Sequence, residues 1–172
     1  MNKHETYFIS DLHLDHKRIL EFSPCRKGPS ITDHNEWLIQ NWNNTVTDQD
    51  KVYVLGDVVF SQEALELIGK LKGHKYLIRG NHDKLSTQAY LKYFNNVYGI
   101  LKTHGFWLTH APIHPNELRG KLNIHGHVHE RSITLPDGSL DERYINVCVE
   151  ALNGIPISLT EIMKKISSNR PK

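Results

Sequence analysis

Short apolar runs rich in Val, Ile, Tyr and Phe alternate along the chain with segments of helical periodicity. The apolar runs predict seven strands, at residues 6–10, 51–56, 75–80, 96–101, 106–110, 122–126 and 144–150. Helical segments separate the first three strands, whereas the second half of the chain is richer in strands. This order favours one α/β domain over residues 1–172, with its sheets buried between helices.

Capping residues and periodicity place the helices between these strands. Asp33 and Glu36 have the spacing of a capping box, and Leu38, Trp42 and Val46 then recur every four residues along one face. A second helix is predicted from an N-cap at Ser61 to a stop at Gly73, with a buried stripe of Ala64, Leu65, Ile68 and Leu71. The pattern also predicts a helix over 84–95, a turn at 136–139 and a helix within 158–167. We expect these helices to cover the sheets.

The composition excludes several classes of protein. A formal net charge of +2 over 172 residues is too small for a nucleic-acid scaffold or a basic membrane face. No apolar run approaches the roughly 20 residues that span a membrane, and the first ten residues lack a secretory signal pattern. Cys25 and Cys148 follow no metal or disulfide spacing, so we expect two bystander thiols in a cytoplasmic protein.

The segment KLNIHGHVHER, at residues 121–131, is unusually rich in histidine. It places His125, His127 and His129 at alternate positions, and alternate side chains of an extended strand point to one face. A histidine-rich segment can also be a solvated loop. Three imidazoles on one face nevertheless favour a metal site.

Side chains with metal-binding chemistry follow five of the predicted strands. They are Asp11 and His13 after the first strand, Asp57 after the second, Asn81 and His82 after the third, His110 at the end of the fifth, and His127 and His129 after the sixth. Each alone has an ordinary structural explanation, such as a helix cap, a turn or a core histidine. Because ligands bind at the carboxyl ends of strands in α/β sheets, their recurrence there favours one shared site.

The chemistry of this set restricts the ion. Carboxylate, imidazole and amide ligands without a thiolate suit Mn²⁺, Fe or Zn²⁺ in five- or six-fold coordination better than a structural zinc knot. Seven ligands, without His82, are too many for a single catalytic ion.

Five short blocks carry a resemblance to a known family. DLH (11–13), GD (56–57), GNHD (80–83), TH (109–110) and GHVH (126–129) resemble, in this order, the signature blocks of the calcineurin-like metallophosphoesterases. The resemblance implies an α/β fold in which two mixed β-sheets pack as a sandwich flanked by helices. It also implies two divalent metal ions at one edge of the sandwich.

The resemblance assigns roles to individual residues. It implies that Asp57 bridges the two ions, that one ion is held by Asp11, His13 and His129, and that the other is held by Asn81, His110 and His127. His82 is the implied catalytic histidine, and we expect Asp83 to orient its ring. His125 precedes the last block on the strand itself, so we expect it to be a core residue or to support a ligand.

The implied activity is hydrolysis of a phosphodiester or phosphomonoester by a hydroxide that bridges two metal ions. We expect these ions to be Mn²⁺, with Fe, Zn²⁺ or Ni²⁺ as alternatives. The spacers between the blocks are short, so we expect an open site that admits small substrates, nucleotides, cyclic nucleotides or nucleic-acid ends, and equally phosphoproteins. Arg18 is a candidate phosphate contact, and the low net charge disfavours long nucleic acid. The oligomeric state stays open.

Two other classes of protein fit parts of the pattern. A non-catalytic scaffold for protein partners can share this fold, but the intact ligand set and His82 count against it. A histidine-rich metal-storage protein or a structural zinc site would not explain a bridging carboxylate and an amide ligand at separate strand ends. The phosphoesterase is therefore the favoured hypothesis.

Overall fold

A computed structural model describes residues 4–168 of the chain. In this range the strands are β1 (Thr6–Ile9), β2 (Lys51–Val54), β3 (His74–Ile78), β4 (Asn96–Tyr98), β5 (Leu101–Thr103), β6 (Phe106–Thr109), β7 (Leu122–His125), β8 (Tyr144–Asn146) and β9 (Ile157–Ser158). The helices are α1 (Ile19–Phe22), α2 (Ile31–Thr45), α3 (Leu65–Ile68), α4 (Thr87–Tyr90) and α5 (Leu159–Ser168), with a 3-10 turn at Pro115–Glu117. Among residues 4–168, no helix has the length and hydropathy needed to span a membrane.

The strands form two mixed sheets, which confirms the predicted fold class. The first sheet has the order β4-β3-β2-β1-β9, and only β9 runs antiparallel to its neighbour. The second has the order β5-β6-β7-β8, in which β5 and β6 are antiparallel and the other pairs parallel. Both sheets therefore contribute parallel strands whose carboxyl ends can meet at one edge.

Alternation along the strands gives the first sheet two buried faces. On β1, Phe8 packs against the second sheet, in a cluster with Leu108 and Ile124. The next residue, Ile9, packs on the opposite face, in a cluster that contains Trp42 of α2. The core thus lies in two layers, as expected from a period of two in strands and an apolar stripe on a helix.

The first long helix begins three residues earlier than the predicted capping box. Ser30 is the N-cap, and its hydroxyl accepts a hydrogen bond from the amide of Asp33 at 3.2 Å. Asp33 therefore occupies the third helical position, and the predicted buried stripe of Leu38 and Trp42 is confirmed.

Two predicted helices are much shorter than expected. Ser61 does cap the second, since its hydroxyl accepts from the Ala64 amide, but the following backbone bonds join residues three apart and only α3 is α-helical. Such bonds wind tight 3-10 turns, which the apolar spacing does not distinguish from an α-helix. In the segment 84–95, only α4 is α-helical, after an N-cap at Ser86.

Two predicted strands break where the chain passes between the sheets. The run 96–101 divides into β4, which pairs with β3 in the first sheet, and β5, which pairs with β6 in the second. The run 144–150 ends as a strand at Asn146, after which Val147 and Val149 hydrogen bond to the backbone of Ser10 beyond β1. This crossing brings Glu150 beneath the edge at which Asp11 lies.

The last two predicted elements are confirmed. Gly138 has a φ of +84° in the turn at 136–139, where the Leu135 amide donates to the Ser139 carbonyl. At the start of α5, the hydroxyl of Ser158 accepts from the Glu161 amide and the Glu161 carboxylate accepts from Ser158. This reciprocal pair is a capping box.

Candidate metal centre

The predicted site residues meet at the carboxyl edge of both sheets. Two groups of side chains form there, and within each group the ligand atoms all lie within 4.8 Å of one another. The first group is Asp11, His13 and His129, and the second is Asp11, Asp57 and His110. Both groups share Asp11, so the strand ends of the two sheets converge on one cluster.

The Asp57 carboxylate belongs to the second group and also lies close to the first. Its Oδ2 is 3.9 Å from His13 Nε2 and 3.4 Å from His110 Nε2. Its Oδ1 accepts a hydrogen bond from the His82 amide at 2.8 Å, which fixes the orientation of the carboxylate. One oxygen of Asp57 is therefore directed at imidazoles of both groups.

Asn81 and His127 complete the cluster on its exposed side. Asn81 Oδ1 lies 2.9 Å from His110 Nε2, and His127 Nδ1 lies 3.2 Å from the same nitrogen. Both residues are exposed, whereas His110 is buried. All seven side chains predicted to bind metal are thus brought together, while their role as ligands stays a prediction.

The backbone that presents these side chains is left-handed at five positions. Asp11, His13, Asp57, His127 and His129 have φ values of 59°, 50°, 54°, 71° and 55°. The expectation that His127 and His129 share a face of an extended strand is wrong, because β7 ends at His125 and both lie in a tight turn. Left-handed non-glycine residues cost about 1–3 kcal/mol each and cluster at functional sites.

Glycine is required where the first sheet meets the turn after β7. A Cβ on Gly126 would collide with the Ser10 hydroxyl and with the Asp11 carboxylate. The absence of a side chain allows the His127 amide to donate to Asp11 Oδ2 at 2.9 Å. The glycine of the GHVH block therefore has a packing role in the site.

The polar atoms at the centre of the cluster fit a bound cation. Asp11 Oδ2 accepts from the Ser10 hydroxyl, the His127 amide and the Cys148 thiol, whereas Oδ1 has no hydrogen-bond partner among residues 4–168. Nε2 of His13 is also buried without a hydrogen-bond partner in the described part of the chain, 3.5 Å from that oxygen. Buried polar atoms are rarely left unpaired, and a cation between these two atoms would satisfy both.

The charges of the cluster also suit cation binding. Burial by itself raises the pKa of Asp11, but His13, His110 and Ser10 together lower it well below its usual range. Burial likewise raises the pKa of Asp57, and the hydrogen bond with His110 and that residue's charge outweigh it, so the pKa is lowered. Both carboxylates are therefore ionised at neutral pH, as metal binding requires.

Hydrogen bonds fix which nitrogen of His110 and of His129 faces the centre of the cluster. His110 Nδ1 lies 2.7 Å from the Leu55 carbonyl, an acceptor, so Nδ1 carries a proton and Nε2 is directed at Asp57. His129 Nδ1 lies 2.9 Å from the Glu150 carboxylate in the same way. An imidazole held through one nitrogen presents the lone pair of the other to a metal ion.

Sequence reasoning misses a buried ion pair beneath the cluster. The side chains of Arg26 and Glu150 are fully buried, and Arg26 Nη2 lies 2.7 Å from Glu150 Oε1. Arg26 also donates to the backbone carbonyls of Asp11 and Leu12, so it holds the left-handed loop in place. Burial raises the pKa of Glu150, yet His129 and Arg26 outweigh it and lower the pKa to about 2.

Cys148 is not the bystander that its sequence context predicted. It is buried, and its thiol donates to Asp11 Oδ2 at 3.2 Å. Burial and the nearby Asp11 charge raise its pKa far above the usual range, so the sulfur keeps its proton. Cys25 is exposed and unpaired.

Asp83 has contacts other than those expected for a residue that orients His82. Its two oxygens accept from the backbone amides of Gly80, Asp57 and Val58, and from the Tyr90 hydroxyl. No hydrogen bond joins Asp83 to the His82 ring among the described residues. These contacts tie the loop after β2 to the loop after β3 and so position Asp57.

The remaining candidates lie around the cluster. His125 is buried on β7, with Nδ1 2.9 Å from the Gly126 carbonyl, and belongs to neither metal group in the described range. Arg18 is exposed, pairs with Glu21 at 2.8 Å and stacks over the ring of Phe22 at 4.7 Å. A phosphate contact by Arg18 stays a prediction.

The chain is similar to a known protein family and to individual proteins over most of its length. The family model described as calcineurin-like phosphoesterase matches residues 5–157. An uncharacterized protein of Methanocaldococcus jannaschii is 35% identical over 99% of this chain and 96% of its own length. The Gene 66 protein of Mycobacterium phage L5 is 31% identical over 85% of this chain and 86% of its own.

One solved structure supports the same fold. The crystal structure of a protein of unknown function from Aquifex aeolicus superposes with a TM-score of 0.75 at 29% identity. The superposition covers 95% of this chain and 100% of that protein. The architecture around the cluster is thus shared over nearly the whole chain.

Proposed function

Because this chain belongs to the calcineurin-like phosphoesterase family, we propose that it is a metal-dependent phosphoesterase that hydrolyses phosphodiester or phosphomonoester bonds of small or accessible substrates. The observation that carries the proposal is the convergence of two groups of metal-binding side chains on Asp11, with Asp57 Oδ2 directed at both. We propose that the whole chain acts as one catalytic domain.

The proposed ligands are the seven side chains of the cluster. Asp11, His13 and His129 would hold one ion, Asn81, His110 and His127 the other, and Asp57 both. When bound, two divalent ions neutralise phosphoryl charge and activate water for attack at phosphorus. Mn²⁺ is the proposed ion, since carboxylate, imidazole and amide ligands suit it.

His82 is the proposed catalytic residue. Its amide donates to Asp57 Oδ1, so its backbone is fixed relative to the ligand cluster. Its ring is exposed and lines the same cleft as His13 and His129. From there it can donate a proton to the leaving-group oxygen as the phosphorus–oxygen bond breaks, which is general acid catalysis.

We also propose a cytoplasmic location. Both cysteines are free, in keeping with a reducing compartment.

Nucleotide-type esters are the proposed substrates. The open cleft beside the cluster has a volume of about 430 Å³, which suits a small phosphoester.

A hydrolysis panel tests the proposal. Metal-free protein, and protein loaded with Mn²⁺, would be assayed on p-nitrophenyl phosphate, its bis-ester, 2′,3′-cyclic nucleotides and a short single-stranded oligonucleotide. We expect hydrolysis only in the loaded protein. Loaded protein that binds two ions but hydrolyses nothing in the panel would contradict the proposal and favour a non-catalytic scaffold.

A further inference from the structure

The cleft beside the candidate metal centre has one wall that the metal chemistry does not use. His13, His82 and His129 line the side next to the cluster, and His16, Phe22 and Phe60 line another side. The lining is completed by Ile19, Ser23, Val128, Glu130 and Arg131. We call Phe22, His16 and Phe60 the aromatic wall. A phosphoryl group needs cations and hydrogen-bond donors, whereas the two phenylalanine rings of the wall offer flat apolar faces.

The rings of the aromatic wall contact one another and reach the catalytic side of the cleft. The centroids of His16 and Phe60 are 4.0 Å apart, and those of His16 and Phe22 are 5.9 Å apart. Phe60 lies 5.2 Å from His13 and 5.1 Å from His82. The wall is therefore continuous with the place where the phosphoryl group would be attacked.

Both phenylalanines are exposed, although the Arg18 guanidinium lies over one face of the Phe22 ring. Phe22 is 57% exposed and Phe60 is 39% exposed, although both belong to a residue type that is usually buried. A single exposed apolar side chain is ordinary, but two that line one cleft form an apolar surface next to a charged cluster. Such a surface fits a ligand with a flat apolar part joined to a phosphate.

We propose that the aromatic wall stacks the base of a nucleoside phosphoester whose phosphoryl group lies at the metal centre. This rests on the proposed function and names the substrate class of the same site. Every nucleobase has a π-face, and stacking on an aromatic side chain contributes to affinity without selecting one base. The site should therefore accept nucleotides with different bases.

Binding of two products separates the base from the phosphate. Isothermal titration calorimetry would compare adenosine 5′-monophosphate with ribose 5-phosphate, both added to Mn²⁺-loaded protein. These compounds share the sugar and the phosphate, so a difference in affinity belongs to the base. Stacking of one base predicts that the nucleotide binds about 5- to 150-fold more tightly.

A variant and a third ligand identify the surface responsible. Phe60→Leu keeps an apolar side chain but removes one π-face of the wall, so it should lower the ratio of the two affinities. Leu91→Ala, at an exposed apolar residue outside the cleft, should keep the ratio of the wild type. Hexyl phosphate should bind less tightly than the nucleotide, since an alkyl chain can bury apolar surface on the wall but cannot stack.

Three results would overturn the base site. They are equal affinities of the wild type for the two products, no detectable binding of either product, and a ratio of the two affinities that Phe60→Leu leaves unchanged. Hexyl phosphate binding as tightly as the nucleotide would replace it with an unspecific apolar site. Hydrolysis of the panel together with equal affinities would leave the proposed function in place. Tighter nucleotide binding without any hydrolysis would remove the enzyme and keep the base site.

Discussion

The two halves of the candidate metal centre are supported in different ways. The inner half, made of Asp11, His13 and His129, lies over the buried ion pair of Arg26 and Glu150. The outer half is made of Asn81, His110 and His127, and two of its three side chains are exposed. Asp57 lies between the halves.

This difference predicts unequal affinities for two ions at one edge of the protein. A carboxylate hydrogen bonded to an imidazole raises the basicity of that ligand and fixes its direction, and Glu150 does this for His129. The corresponding partner of His110 is a neutral carbonyl, that of Leu55. We therefore expect the inner half to bind its ion more tightly.

Loss of the side chain proposed to bridge the two ions should have the largest effect. Asp57→Asn replaces the charged oxygen directed at His13 and His110 with a neutral group, so turnover should be abolished and one ion lost at saturating Mn²⁺. Hydrolysis assays and metal analysis check this, with Asp48→Asn, at an exposed carboxylate, as the matched control. Retention of both ions and of turnover would show that Asp57 is no bridge.

Removal of His82 should separate chemistry from metal binding in both halves. His82→Ala should keep two ions but lower turnover by about 10²–10⁴-fold, the usual contribution of positioned acid catalysis. The loss should be greatest for nucleotide esters, because an alkoxide needs a proton as it departs and p-nitrophenolate does not.

The exposed His74, at the start of β3, gives a control substitution to Ala that should change neither quantity. Equal losses on both kinds of substrate would reduce His82 to a charge stabiliser. Full activity of His82→Ala would remove it from the mechanism.

Glu150→Gln should break the support of the inner half alone. It keeps the shape of the side chain but leaves the Arg26 charge buried and unpaired, which costs about 3–5 kcal/mol in the free energy of unfolding. The affinity of the tighter ion should fall by about 10- to 100-fold, and that of the weaker ion should stay.

Chemical denaturation and Mn²⁺ titration measure the two effects. Glu117→Gln, in an exposed pair with Arg119, should change neither. An equal loss of affinity for both ions would mean that the halves are not supported separately.

Acid should weaken the inner half through His34, which lies 3.3 Å from Arg26. Burial and the Arg26 charge lower the pKa of His34 to about 4, below the value of about 6.5 in the unfolded chain. Between these values the unfolded chain binds a proton that the folded chain does not, so stability falls as the pH falls. At pH 5 the loss from this residue is about 2 kcal/mol.

Denaturation of metal-free protein at pH 7 and pH 5 checks this prediction. His34→Gln should show a smaller loss on acidification than the wild type, and His74→Gln should show the same loss. A wild-type loss that His34→Gln leaves unchanged would assign the effect to other groups.

Local patterns in the sequence predict an α/β domain with polar residues at its strand ends, whereas the two-sheet sandwich and the two-ion cluster are predicted from the family resemblance. Alternation in β1 predicts its two buried faces, and a polar block after a strand predicts a residue at the sheet edge. Arg26 and Glu150 have no such pattern, since they are 124 residues apart and meet only after the chain crosses from β8 to Ser10. The predicted helix after Ser61 is too long because 3-10 turns and α-helices share apolar spacing over one turn.

The most direct test of two unequal halves is a Mn²⁺ titration of metal-free protein, with free Mn²⁺ followed by electron paramagnetic resonance. The account predicts two ions per chain bound in two steps, with the tighter step weakened in Glu150→Gln. A single ion at saturating Mn²⁺, or two ions of equal affinity in both proteins, would contradict it.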